Sequence, residues 1–364
     1  MKRKEFIYNA CTLAMATLLP FNRLFAKTNS SEATLWHELL DYARWCPSPH
    51  NVQPWKVKII SKTEAHLYYD PARVPGAVDI QSAFTIVGMG MFIECLNIVA
   101  LSKGYKIAVT HEQEPQLSCA GTEFRPFATM SLMPTDEKSV IAPQLIKDRR
   151  TSRAQYNGRE IDTAAIERFK VTASGYGYEF VCTEDHSIIN YIIDLNNETE
   201  LERSDDKPTM DEMKKWIRIS DKEAAEKKDR LWYRCLETHA KVLHNFAYHH
   251  ERFRHAWKRK IVKNMLNKGM KGTANMAWIT GAFDKRADWL QAGTMLQQMW
   301  LDMTKENIYM HPLGTVVTTA DAKEKFMTTI GYDKVEEKLW FLVRLGYSEE
   351  PQRSYRLGLD DILM

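Results

Sequence analysis

Three prolines within eight residues, Pro47, Pro49 and Pro54, punctuate the stretch Pro47-Ser48-Pro49-His50-Asn51-Val52-Gln53-Pro54-Trp55 and rule out a helix there. Each proline fixes its own φ and pushes the residue before it toward extended backbone. The stretch therefore reads as a polar loop with backbone groups free for a ligand. Leu35, Leu39, Leu40, Ala43 and Cys46 recur at helical spacing and stop at Pro47, so a helix delivers the chain into this loop.

A second run, Arg149-Arg150-Thr151-Ser152-Arg153, lies about a hundred residues downstream. Read as about a turn and a half of helix, it sets three guanidinium groups and two hydroxyls around one small anion. Guanidinium supplies planar, forked donors that suit a phosphomonoester. A charge run by itself is more often a solvated helix face, and it is the pairing with the proline loop that gives this one meaning.

Together the two runs resemble the nitroreductase family of FMN-dependent oxidoreductases, in which an Arg-x-Ser-x-Arg phosphate clamp works with a Pro-Ser-x-x-Asn-x-Gln-Pro-Trp loop along the flavin. Further blocks are similar. Gly88 to Leu96 resembles the long central helix of that family; its Met and Phe residues are read as core packing. The helix from Ala287 to Met303 with the following Ile308–Thr315 resembles the helix and Pro-x-Gly loop that meet the ring. The apolar strand Leu339 to Gly346, then Tyr347, resembles the closing strand that leads to a basic residue, here Arg356.

The order of the blocks is inverted: the loop precedes the clamp. That order resembles the Acg-like branch, in which two nitroreductase-type halves in one chain imitate a dimer. The resemblance implies an α+β fold of two tandem halves, with antiparallel or mixed sheets flanked by helices and one complete site per chain. The halves are 27–145 and 146–364, the second carrying a helical insertion at about 196–273. That insertion is rich in Lys, Glu, Arg and His without a strong breaker until Gly269, and reads as charged helices forming a lid. His239 and His244 miss the i, i+4 spacing of a helical metal pair.

What the resemblance implies for the site is specific. FMN is the cofactor, with NAD(P)H as a candidate donor. Arg149, Arg150, Thr151 and Arg153 form the clamp, and Arg356 adds a fifth group at the phosphate. Pro47, Ser48, Pro49 and Asn51 line the ring and ribityl chain, and backbone groups of Leu313 and Gly314 approach N5. Arg153 is also the candidate for positive charge near N1 and O2. Gln53 and Trp55 stand equally between ligand contact and structure. No catalytic side chain is assigned, because the cofactor carries the redox step.

The expected activity is ping-pong electron transfer from a reduced donor to a nitroaromatic or quinone-like acceptor. The alternative is a protein that stores or sequesters FMN beneath the lid. Both partners are small molecules, and the chain is expected as a monomeric pseudo-dimer or a homodimer. With 50 basic against 47 acidic residues, the net charge of +3 gives no support to nucleic-acid binding.

The N-terminus has the layout of an export signal over 1–26: Lys2, Arg3 and Lys4, then an apolar run from Ile7 to Phe21, then Ala26. The run is short of the roughly 20 residues a spanning helix needs, so no stable membrane span is expected after removal. Arg3-Lys4-Glu5-Phe6-Ile7 resembles a twin-arginine motif with lysine in the second position, which implies export, to the periplasm. Six cysteines, at 11, 46, 95, 119, 182 and 235, lack metal-ligand spacing, and at most one or two disulfides are expected among them.

Overall fold

The computed structural model describes residues 33–79, 81–111, 116–331 and 338–364. The export signal expected over 1–26, with Cys11, lies outside the described residues.

The fold is α+β and consists of two tandem halves. The first half contains α1 (Ala33–Ala43), β1 (Trp55–Ile59), β2 (Glu64–Tyr69), α2 (Ala83–Ser102), β3 (Tyr105–His111) and β4 (Arg125–Pro134), and α3 (Gln144–Asp148) leads out of it. The second begins with α4 (Thr163–Gly175), β5 (Glu179–Thr183) and α5 (His186–Arg203). An excursion follows: α6 (Lys207–Lys215), β6 (Ile217–Arg218), α7 (Asp221–Lys227), β7 (Leu231–Trp232), α8 (Ala240–Tyr248) and α9 (Ala256–Gly269). The half is then completed by β8 (Asn275–Gly281), α10 (Arg286–Lys305), β9 (Tyr309–Pro312), α11 (Gly314–Thr318), α12 (Ala320–Thr329), β10 (Lys338–Gly346) and α13 (Leu359–Ile362).

The two four-stranded antiparallel sheets repeat one plan. Their orders are β1-β2-β4-β3 and β5-β8-β10-β9. In each, the second strand feeds a 20-residue helix (α2 or α10), the helix feeds an edge strand, and the chain returns to the interior position. β2 alternates buried and half-buried residues, as a strand covered on one face does. β8 and β10 are buried along almost their whole length, because helices cover both faces.

The long helices of the two halves cross, and the crossing explains two glycines. A Cβ on Gly90 would lie 2.6 Å from the Leu290 carbonyl oxygen, and one on Gly293 would lie 2.3 Å from that of Val87. Only backbone against backbone fits there. α2 is long and apolar enough to span a bilayer, but it is mostly buried and serves as a core helix. The Met and Phe residues of Gly88 to Leu96, including Met89, Met91 and Phe92, all lie in the main core.

α2 also buries Glu94, which accepts a hydrogen bond from Gln298 Nε2 on α10 at 2.8 Å. Burial pushes its carboxyl up to about 7, against Gln298 and Asn97, which favour the ionised form. A folded-state value above the unfolded one means that Glu94 supports the fold below the unfolded pKa and ceases to do so as pH rises through about 7. Glu94→Gln is therefore expected to melt higher than the wild type at about pH 8 and alike near pH 5. Thermal melts across that range check it.

The segment from 196 to 273 is more broken than its composition suggests. β6 and β7 form a short parallel pair, and α7 ends at Lys228 in left-handed backbone. The breaks arise from tertiary ties: Arg218 on β6 and Asp229 before β7 form a buried ion pair at 2.6 Å. All five described cysteines are free thiols.

Candidate functional site

The proline loop is held in a conformation that ordinary residues avoid. His50, Asn51 and Gln53 all have positive φ, at 48°, 55° and 51°. Lys228, Arg230 and Glu237 in the excursion do too, so six of the eight described non-glycine residues with positive φ fall on these two segments. Such strain persists only where surrounding contacts impose it, and it gathers at functional sites.

Those contacts are visible. Ser48 Oγ accepts from the Gln53 amide at 2.9 Å. The Gln53 side chain donates to the Lys228 carbonyl at 3.0 Å and accepts from the Leu357 amide at 2.9 Å. Gln53 is therefore a structural brace, and Trp55 stacks on Phe92 within the core. Pro49 and Ser48 pack near Gly88, which brings the loop onto the N-terminal part of α2.

The arginine run is not a helix, contrary to the reading from sequence. Arg149 caps the short α3 with extended ψ, Thr151 bridges Met310 on β9, and Ser152 Oγ lies 2.8 Å from Ser348 Oγ. Pairing with the second sheet outweighs the run's helix propensity. The extended course sends alternate residues in different directions. Arg149 is buried with its guanidinium 4.4 Å over the Trp300 ring. Arg150 turns outward to Glu350 at 2.6 Å and the Pro351 carbonyl at 2.9 Å.

Arg149, Arg356 and Arg353 form a group with vacant donors. Arg149 Nε and Nη1, Arg356 Nε, Arg353 Nε and Arg150 Nε are all buried without a hydrogen-bond partner among the described residues. Burial pushes the Arg149 guanidinium down to about 10, with Arg353 adding to the shift and Cys46 and Cys95 opposing it. Burial, then the charge of Arg149, pushes Arg356 down to about 9. Both remain charged at neutral pH. Unpaired buried cations are costly, so this arrangement calls for an anion.

The loop reaches the same place. The Tyr355 carbonyl accepts from Asn51 Nδ2 at 3.1 Å and from Arg356 Nη1 at 3.0 Å, which joins loop and arginine group through the C-terminal tail. A cavity of about 390 Å³ opens beside Arg356, lined also by Arg44, Trp45, Ser354 and Tyr355. A larger one, about 630 Å³, lies by α5 and the end of α9 and has no arginine in its lining.

Arg153 lies close enough to His50, His311 and Arg344 to bear on their charge states. His50 is pushed down to about 4 by burial, with Arg153 and Arg203 adding and Glu212 opposing, and its Nδ1 has no partner among the described residues. Glu200 bonds Thr315 at the start of α11, and burial raises its carboxyl pKa.

The backbone contacts expected at Leu313 and Gly314 differ in their state. The Leu313 N–H donates to the Leu342 carbonyl at 2.8 Å, extending the β9–β10 pairing, so it is not available to a flavin N5. Gly314 is exposed, with nothing within 4 Å of where a Cβ would lie. Asn51 Nδ2 donates to the Arg230 carbonyl at 3.1 Å, and Arg153 Nη1 donates to the Cys235 carbonyl at 3.0 Å. Asn51 Oδ1 remains without a partner among the described residues. The segment 228–237 thus lies as a strap across the site.

An ionic group fastens the strap. Asp229 receives Arg218 at 2.6 Å and Arg73 at 3.1 Å, and Arg73 also donates to the Val52 carbonyl of the loop. Asp229→Ala leaves Arg218 buried with one carboxylate fewer. A loss of about 3 kcal/mol is expected, with faster proteolysis between α7 and α8. Urea unfolding and limited digestion check it, and unchanged values for both would contradict the latch.

Sequence reasoning missed Arg344, Arg353 and His50. Arg344 is fully buried in β10 and donates to the Ala154 carbonyl at 2.6 Å and the Gly269 carbonyl at 3.0 Å. The signal was a lone arginine within an apolar strand. For Arg353 the signal was its position three residues before Arg356, on the same tail. Among the described residues, no group of three or more His, Cys, Asp or Glu is set to hold a metal.

No protein-family model matches the chain, and no curated protein matches it. Solved structures give distant likenesses. A nitroreductase with bound FMN from Bacteroides fragilis is 15% identical, with 61% of this chain and 96% of that one covered at a TM-score of 0.37. An FMN-dependent nitroreductase from Mycobacterium smegmatis in complex with NADPH is 14% identical, covering 60% and 94% at 0.36. Iodotyrosine deiodinase bound to FMN and 3-iodo-L-tyrosine is 13% identical, covering 59% and 94% at 0.35. At these values the likeness carries no argument about chemistry, which rests on this chain's own residues.

Proposed function

We propose that the chain is an FMN-binding oxidoreductase of nitroreductase type with one site per chain, of the tandem Acg-like kind and exported to the periplasm. The observation that carries the cofactor reading is the set of buried, partnerless guanidinium donors on Arg149, Arg353 and Arg356. They fit the phosphate of FMN, where each charge-assisted bond contributes roughly 1.5–3 kcal/mol. When bound, FMN supplies two-electron chemistry at its ring, taking electrons from a reduced donor such as NAD(P)H or a quinol and passing them to a nitroaromatic or quinone-like acceptor.

The chain's residues do the rest. Arg149 and Arg356 hold the dianion, and Pro47, Ser48 and Pro49 form the wall against α2. Arg153 places positive charge where the reduced ring is anionic. His50, neutral at pH 7 with a free ring nitrogen, is placed to hydrogen-bond a group bound beside the loop. The strap keeps water out of the same space.

A second reading is favoured by that strap. Its carbonyls occupy donors of Asn51 and Arg153, an arrangement suited to a protein that stores FMN with little turnover. Anaerobic reduction separates the two. An enzyme is expected to bleach promptly with NADPH or a quinol and to reoxidise with a nitroaromatic or quinone. A storage protein reacts slowly with all of them.

A further inference from the structure

Helix α9 presents a stripe to solvent that is apolar along its centre. Its exposed positions include Trp257, Lys260, Ile261, Asn264, Met265 and Lys268, which recur at intervals of three and four and so share one face. Trp257 is 63% exposed, and Ile261 and Met265 are 50% exposed each. The other side of the helix is already anchored to the body: Lys263 pairs with Glu198 of α5 at 2.8 Å and Arg259 with Asp205 at 2.6 Å. The stripe therefore has a fixed outward orientation, and its one recorded ring contact among the described residues is local, the Lys258 ammonium 5.2 Å from the Trp257 ring centroid.

Charge narrows what could cover it. From Arg252 to Lys271 there are eight basic residues and no acidic one, although the whole chain carries only +3. Lys260 and Lys268, on the stripe itself, make no ion pair among the described residues. A second copy would bring like charges together. A nucleic acid would meet Trp, Ile and Met along the centre of the face instead of cations. An anionic lipid surface satisfies both features, with the tryptophan at headgroup level, Ile261 and Met265 toward the acyl chains, and lysines reaching back to the phosphates.

We propose that α9 docks the protein on an anionic membrane surface, lying in its plane through Trp257, Ile261 and Met265. The docking does not depend on the flavin reading. The test is co-sedimentation of the full chain with vesicles of phosphatidylcholine mixed with an equal amount of phosphatidylglycerol. Trp257→Ser combined with Met265→Ser is expected to weaken binding by about tenfold or more, and Lys260→Glu with Lys268→Glu by a similar factor. Both should melt as the wild type does, because the replaced side chains are exposed. Val171→Ser, at an exposed position on α4, should bind like the wild type.

The N-terminal apolar run is common to all these proteins, so the differences report on the stripe alone. Equal binding of the wild type and both double variants would overturn the proposal. So would a concentration-dependent dimer in vesicle-free solution that the Trp257→Ser, Met265→Ser protein fails to form. Flavin content, read by absorbance on the same samples, separates this outcome from any failure of the cofactor reading.

Discussion

Arg149→Met is expected to purify with little or no flavin and to unfold at a higher temperature than the cofactor-free wild type. The first effect follows from losing a charge-assisted partner of the phosphate, worth roughly 1.5–3 kcal/mol, or about 10- to 150-fold in FMN affinity. The second follows from the state of Arg149 without ligand: buried, with Nε and Nη1 unpaired. An apolar side chain of similar length keeps the packing on Trp300 and removes a desolvated charge. A purely structural arginine behaves differently. Its loss would lower the melting temperature and leave FMN titration untouched, and that pair of results would contradict the anion-site reading.

Gly293→Ala is expected to cost about 3 kcal/mol or more. The added Cβ would lie 2.3 Å from the Val87 carbonyl oxygen and 3.0 Å from the Met91 amide nitrogen, both backbone atoms that cannot rotate away. The helices would have to separate, and with them the two sheets that carry the loop and the arginine group. Flavin affinity should therefore fall along with stability. Gly175→Ala is the control: it ends α4 with nothing within 4 Å of the new methyl, and is expected to be neutral or slightly stabilising. Chemical unfolding of the two variants side by side decides the matter, and equal stabilities would contradict the close crossing.

Much of the scaffold was legible in the sequence because local pattern and tertiary fate agree there. The helix stopped by Pro47, the central helix around Gly88 to Leu96, and the closing strand β10 are all found where the sequence puts them. The arginine run reads as helix in isolation because what makes it extended is a bridge to Met310, more than 150 residues away. Leu313 reads as a ligand contact when its N–H belongs to a strand pair. In both places the deciding backbone hydrogen bond runs to a distant strand and leaves no local trace.

The site was legible in its residue types and less so in their states. Loop, arginine group and tail do meet, through Asn51, Tyr355 and Arg356. Composition did not reveal that segment 228–237 would take donors from Asn51 and Arg153 with its own carbonyls, since any residue type supplies a carbonyl. His50 reads as a spacer within the motif. Its free ring nitrogen follows from a left-handed backbone that the sequence does not announce.

The most direct measurement is the flavin content of the purified wild-type chain, read as absorbance at about 450 nm, where oxidised flavin absorbs, against protein concentration. About one FMN per chain is expected, as copurified cofactor or after incubation with FMN, with the bound fraction lost in Arg149→Met. A colourless protein that takes up no FMN under any loading condition would contradict the proposal at its root.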